Sequence, residues 1–166
     1  MSESKTVTVL NGLLNGELGA FHLYMQAAGW CAVHHLDGSR QFFTKQANEE
    51  LVHFGKIFAY LVEVDAPVRL TALPEPKIEV KDINALIELA RGHEVKVTNA
   101  VNEAVETARA AEDHSAFEFL QWFVAEQREE NNLFREIHDR VALIGEAPLK
   151  LYFLDKEMAG FAAAKP

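Results

Sequence analysis

The chain has 166 residues, with 25 acidic side chains against 16 basic ones and a formal charge of −9. Hydrophobic residues make up 49% and charged residues 25%, which is the composition of one globular domain and excludes a disordered chain. The acidic balance argues against a nucleic-acid grip, which needs a basic stripe, and suits the gathering of cations.

The opening Met-Ser-Glu-Ser-Lys-Thr has no apolar h-region, so no secretory signal is expected. No apolar run approaches the ~20 residues that span a bilayer. Cys31 is the single cysteine, which excludes an intrachain disulfide and fits a reducing compartment. A cytoplasmic location is therefore expected, with no membrane partner. The first periodic segment predicts a helix over about 6–34, stopping near Leu36-Asp37-Gly38-Ser39, where Gly38 can take the left-handed conformation that ends helices. A second helix is predicted over about 40–64, ending at Asp65-Ala66-Pro67. Residues 68–81 contain Pro74 and Pro76 and have no helical period. Asp82 is the predicted N-cap of a third helix over about 82–111, and Asp113 or Ser115 of a fourth over about 115–144. Gly145-Glu146-Ala147-Pro148 stops the fourth, and an apolar stretch over about 149–160 predicts a short fifth helix. Strand alternation is absent, so the class is all-α and residues 1–166 form a single domain.

Connection lengths predict the topology. Helices one and two, and three and four, are joined by a few residues each and form antiparallel hairpins. A helix of ~27 residues is roughly 40 Å long, and ~16 extended residues reach roughly 50 Å. The middle connection is therefore long enough to cross the bundle end to end, which gives an up-down-down-up bundle.

Each segment carries an apolar stripe at alternating three- and four-residue steps. The stripes are Leu10, Leu14, Glu17, Phe21, Tyr24, Ala28, Cys31, then Phe43, Ala47, Glu50, Phe54, Ile57, Leu61. The third is Ile83, Ile87, Ala90, Glu94, Val97, Val101, Ala104, Ala108, and the fourth Leu120, Phe123, Gln127, Glu130, Phe134, Ile137, Val141, Ile144. A carboxylate interrupts every stripe near mid-helix, and the middles of similar-length helices lie at one level. Glu17, Glu50, Glu94 and Glu130 therefore converge inside the core, with His53 one turn after Glu50 and Gln127 in the same relation to Glu130. One glutamate in a stripe is ordinarily a snorkelling side chain. Four at one depth are different, because burying an unpartnered carboxylate costs several kcal/mol and no stripe offers a Lys or Arg. The pattern points to a metal site. Oxygen-rich ligands with one imidazole can bridge two ions and suit iron or manganese rather than structural zinc. One imidazole and one amide make the pocket asymmetric, which suits an ion that must leave.

The chain resembles the bacterial non-haem ferritins over nearly its whole length. The likeness is carried by Glu17 with Tyr24, the run 48–53 (Asn-Glu-Glu-Leu-Val-His), Glu94, the run 121–130 (Gln-Trp-Phe-Val-Ala-Glu-Gln-Arg-Glu-Glu), and the run 151–157 (Leu-Tyr-Phe-Leu-Asp-Lys-Glu). The resemblance implies a ferritin-like four-helix bundle with a fifth helix at the four-fold axes of a homo-24-mer. It implies oxidation of Fe(II) by O2 or peroxide and storage of ferric mineral inside the shell. Carried over, Glu17, Glu50 and His53 hold the first iron, and Glu50, Glu94 and Glu130 the second with Gln127 close by. Tyr24 stands beside the pair as a hydrogen-bonding and electron-donating residue. Glu49, Glu126, Glu129 and Glu130 correspond to a third, cavity-side iron site, and 126, 129 and 130 do share one helix face. Haem is not expected, since Leu51 stands where the haem-carrying relatives place methionine, and Glu130 replaces their second histidine. Trp30 and Trp122 read as packing residues, Cys31 as a buried small hydrophobe, and the histidines other than His53 as surface or interface residues.

Two other classes remain open at this point. A di-iron oxygen-activating or peroxide-scavenging enzyme would use the same pocket without storing iron, although the chain lacks the Cys-x-x-Cys module of the rubrerythrins. A metal-free helical interaction module would bind no divalent ion at the bundle centre.

Overall fold

A computed structural model describes residues 4–146 and 149–164. Residues 1–3 of the opening run, and Ala147 and Pro148 of the expected fourth-helix terminator, lie outside the described residues. The helices are α1 (Lys5–Val33), α2 (Asp37–Glu63), α3 (Ile83–Ala110), α4 (His114–Ile144) and α5 (Lys150–Ala163), with no strand among the described residues. Side-chain caps begin three of them. The Ser4 hydroxyl accepts from the Thr6 amide, and the carboxylates of Asp82 and Asp113 accept from the amides of Ala85 and Ala116 at 2.8 and 3.0 Å. Of the two candidates for the α4 cap, Asp113 is the one used.

The ends of the first three helices share one device. After α1, His35 is left-handed (φ 57°), the Leu36 amide bonds the Cys31 carbonyl at 3.0 Å, and the His35 amide bonds that of Ala32. Asp65 and Glu112 repeat the pattern after α2 and α3. These are Schellman caps built without glycine.

Gly38 is therefore not the residue that ends α1. It lies in the first turn of α2, which begins three residues earlier than expected. Its lack of a side chain serves close packing instead, because a Cβ there would overlap the Asp155 carbonyl oxygen and crowd Ala159. Leu36, at the N-cap of α2, supplies no side-chain cap. Asp155 of α5 supplies one from outside the helix, accepting from the Gly38 and Ser39 amides and the Ser39 hydroxyl at 2.8–2.9 Å.

The long connection runs along α1, tied by two asparagines one turn apart. Asn11 donates to the Pro67 carbonyl and accepts from the Arg69 amide, and Asn15 does the same with Arg69 and Thr71, at 2.7–2.9 Å. The crossover thus obtains backbone partners that a loop of its length otherwise takes from water.

Two apolar clusters fill the bundle. One holds Leu10 and Leu14 of α1, Ile57 and Leu61 of α2, Val101 and Ala104 of α3, and Ala116 and Leu120 of α4. The other holds Ala28 and Cys31, Phe42 and Phe43, Ile83 and Ile87, and Phe134 and Ile137, with Leu154 and Met158 of α5. Helices α1 and α4 run from the first cluster to the second, and α2 and α3 run the opposite way. The order is up-down-down-up with one crossover. Glu17, Glu50, Glu94, Gln127 and Glu130 lie in sequence between the residues of the two clusters, forming a polar layer between apolar ends.

Candidate metal centre

Every residue of the predicted central set is buried: Glu17, Glu50, His53, Glu94, Gln127 and Glu130 are at most 6% exposed, and Tyr24 is fully enclosed. Glu17, Glu50 and His53 each bring one ligand atom within 4.8 Å of the others. That spacing can contract onto one ion with bonds of about 2.1 Å. His53 Nδ1 lies 3.2 Å from Glu50 Oε2 and 3.7 Å from Glu17 Oε2, while its Nε2 lies 3.7 Å from Glu126 Oε1. One ring nitrogen therefore faces the buried carboxylates, and the other faces an acid that can hold the ring in orientation. Rings of Trp122 and Phe123 meet the imidazole edge-on.

Glu94 belongs to a second group. The Tyr24 hydroxyl donates to Glu94 Oε1, and the Tyr24 ring stacks between Phe43 and Phe134. Glu130 Oε2 accepts from Gln46 Nε2 at 2.9 Å. Gln127 Oε1 accepts from the Thr98 hydroxyl at 2.9 Å.

The electrostatics are those of acids held too close and too dry. Burial raises Glu50 and Glu94 from 4.5 to about 7, with Glu17 adding to the shift at Glu50, and Glu50 to that at Glu94. Burial and the neighbouring Glu94, Glu49 and Glu50 raise Glu130 to about 8. Burial opposes charge on His53, but Glu17 and Glu50 outweigh it and raise the ring from 6.5 to about 10. Tyr24 is pushed well above its usual range by burial and by Glu94. Among the described residues no lysine or arginine forms an ion pair with Glu17, Glu50, Glu94 or Glu130. Both Glu17 oxygens and Glu94 Oε2 have no hydrogen-bond partner at all. Buried carboxylate oxygens are rarely left so, because each forfeits its hydration. Hard, anionic, unpartnered oxygens with one imidazole are the donor set of a divalent cation.

The acids predicted to lie beside this group are less enclosed. Glu49 is half-buried, with Lys45 Nζ 3.8 Å from its Oε1. Glu126 is half-buried against His53. Glu129 is exposed on α4.

The sequence pattern missed several neighbours. Gln46 is fully buried one turn before Glu50, and Thr98 lies one turn after Glu94. Their only sequence signal is a polar residue at i±4 from a buried acid. His93 is not simply a surface residue: it is half-buried, its ring edge-on to Tyr24, and burial lowers its pKa. Cys31 is enclosed in the core, and burial pushes its thiol up to about 12, so it is an inert hydrophobe.

The model of the ferritin-like domain family matches residues 7–144. The chain belongs to the ferritin-like domain family. Among curated relatives of this ferritin-like chain, the bacterial non-heme ferritin of Campylobacter jejuni is 36% identical over 165 residues, covering 99% of each chain. That of Escherichia coli is 34% identical over 159 residues, covering 96% of each. Among solved structures, an open-pore ferritin from the hyperthermophilic archaeon Archaeoglobus fulgidus superposes with a TM-score of 0.90 at 38% identity, covering 96% of both chains. A ferritin of Chlorobium tepidum gives 0.83 at 34% identity, covering 96% of this chain and 99% of that one. No helix of the described residues is long and apolar enough to cross a membrane.

Proposed function

We propose that this ferritin stores iron: it oxidises Fe(II) with O2 or peroxide at a dinuclear site inside each subunit and keeps the ferric product within a shell of 24 copies. The observation that carries this reading is the buried layer of four carboxylates and one imidazole, with no lysine or arginine paired to the carboxylates among the described residues and three carboxylate oxygens lacking any hydrogen bond. Glu17, Glu50 and His53 would hold one ferrous ion, and Glu50, Glu94 and Glu130 a second, with Glu50 shared. Two Fe(II) supply two electrons to one O2, which takes two protons and leaves as hydrogen peroxide.

The chain's residues account for the proton traffic. Glu50, Glu94 and Glu130 carry protons near neutrality in the ion-free chain, and His53 is protonated. Two Fe(II) entering the layer displace these protons, which become available to the reduced oxygen. Tyr24, hydrogen-bonded to Glu94, can pass a proton to that carboxylate if it gives up an electron. Glu49, Glu126, Glu129 and Glu130 would take up a third ion on the way out. Assembly is supported by apolar side chains that one subunit leaves exposed, including Met25, Phe58, Val62 and Leu70, and by Leu151, Tyr152 and Phe153 of α5.

Stopped-flow oxidation tests the site. Glu50→Ala and Glu94→Ala should lose the fast phase while the assembled mass on size exclusion stays unchanged, and native rates in both variants would remove the assignment. A dimer-sized elution of the native protein would favour oxygen activation without storage.

A further inference from the structure

Gln127 sits in the acid layer as the one amide among carboxylates, and an amide has two ends. Its oxygen could join the second ion, or its NH2 could face the acids and leave the oxygen elsewhere. A hydrogen-bond chain between α3 and α4 chooses. Asn131 lies one turn after Gln127, and its Nδ2 is 2.8 Å from the Gln127 backbone carbonyl. A carbonyl only accepts, so that end of Asn131 is the NH2 group. The same Nδ2 lies 2.8 Å from the Thr98 hydroxyl oxygen, which therefore accepts its second hydrogen. The Thr98 hydroxyl hydrogen then has two acceptors in reach, each at 2.9 Å: the Glu94 carbonyl and Gln127 Oε1. The Glu94 carbonyl already receives the helical N–H of Thr98. Gln127 presents Oε1, which can only accept, to the Thr98 hydroxyl.

We infer that Thr98 and Asn131 are positioning residues that fix the polarity of the Gln127 amide, holding its oxygen on the Thr98 hydroxyl and withholding it from the second ion. The inference rests on the dinuclear reading above and refines it. The second ion is then held by carboxylates alone. This gives the pocket's asymmetry a purpose, because one fewer ligand makes the second ion the easier one to release. The sequence reading, which placed Gln127 among the metal residues, carries no sign of this, since Thr98 and Asn131 meet only in the folded bundle.

Co(II) binding to the assembled protein without oxygen tests it, by calorimetry and by the Co(II) visible spectrum. Thr98→Val keeps the shape and removes the hydroxyl, freeing the amide to turn. The second Co(II) should then bind about fivefold tighter, the factor one net hydrogen bond supplies, with a changed visible spectrum and an unchanged first step. Thr98→Ser should restore native values. Asn131→Leu, which removes the lock from the other side, should tighten the second step in the same direction and serves if the valine variant does not assemble. A second step no tighter in either variant, or Thr98→Ser matching Thr98→Val, overturns the inference and leaves the dinuclear site standing. Native protein that binds no second Co(II) overturns both.

Discussion

Glu50 is the residue on which most of the proposed chemistry turns. It contributes to the Glu17–Glu50–His53 cluster and raises the pKa of both Glu94 and Glu130. The acid layer also sets how stability depends on pH. Glu50, Glu94 and Glu130 hold protons in the folded chain at pH values where the unfolded chain, with carboxyls near 4.5, has lost them. Their protonation therefore favours folding fully below about 4.5, and this advantage is lost as pH rises through 7 to 8. His53 acts in the same sense at still higher pH, its raised pKa favouring the fold below 6.5 and losing that contribution as pH passes 10. Ion-free protein should melt at a lower temperature at pH 8.5 than at pH 6. Calorimetric scans showing no such fall would place these three acids in water. Fe(II) affinity should move the opposite way, weakening below about pH 7 as protons compete for the same oxygens, which anaerobic titration at pH 6 and pH 8 reads directly. Replacing Tyr24 with Phe removes the hydroxyl on Glu94 and should slow oxidation while the second ion still binds, as stopped-flow and equilibrium titration can separate.

At the scale of the helix, sequence legibility followed the kind of rule each residue breaks. Glu17, Glu50, Glu94 and Glu130 were visible because a charge in an apolar stripe violates the pattern that makes the stripe. Gln46, Thr98 and Asn131 were not, because uncharged polar residues are common at stripe edges and their partners come from other helices. Gly38 shows a different limit. Glycine serves either for its backbone freedom or for the absence of a side chain, and in a sequence the two uses look alike. Here α5 fills the space, and histidine takes the left-handed turn. The consequence for stability is local. Asp155→Ala removes three hydrogen bonds that cap α2 from outside and should cost about 2 kcal/mol. Gly38→Ala should cost at least as much by pushing α5 away. Thermal unfolding of both variants checks this, and melting temperatures equal to the native one would show that α5 is held by its apolar contacts alone.

For the whole molecule, the bundle order was legible from connection lengths, since only a crossover needs so long a link between two tight hairpins. The partners of that link were not, because Asn11 and Asn15 read as ordinary surface positions until the loop lies against them. Loading the centre should stabilise the chain through mass action alone, by about 2.7 kcal/mol when the free ion stands at a hundred times its dissociation constant. Stripping ions with a chelator should reverse the gain and leave helicity by circular dichroism unchanged, whereas loss of helix would mean the ions hold the fold together.

That last expectation comes from the way the apolar residues are divided. Each end of the bundle closes on its own greasy plug, drawing on all four long helices, and neither plug needs the charged floor between them. A container for a nutrient is filled in plenty and drained in scarcity. A subunit whose walls stand without their contents can go through that round many times and be ready for the next delivery.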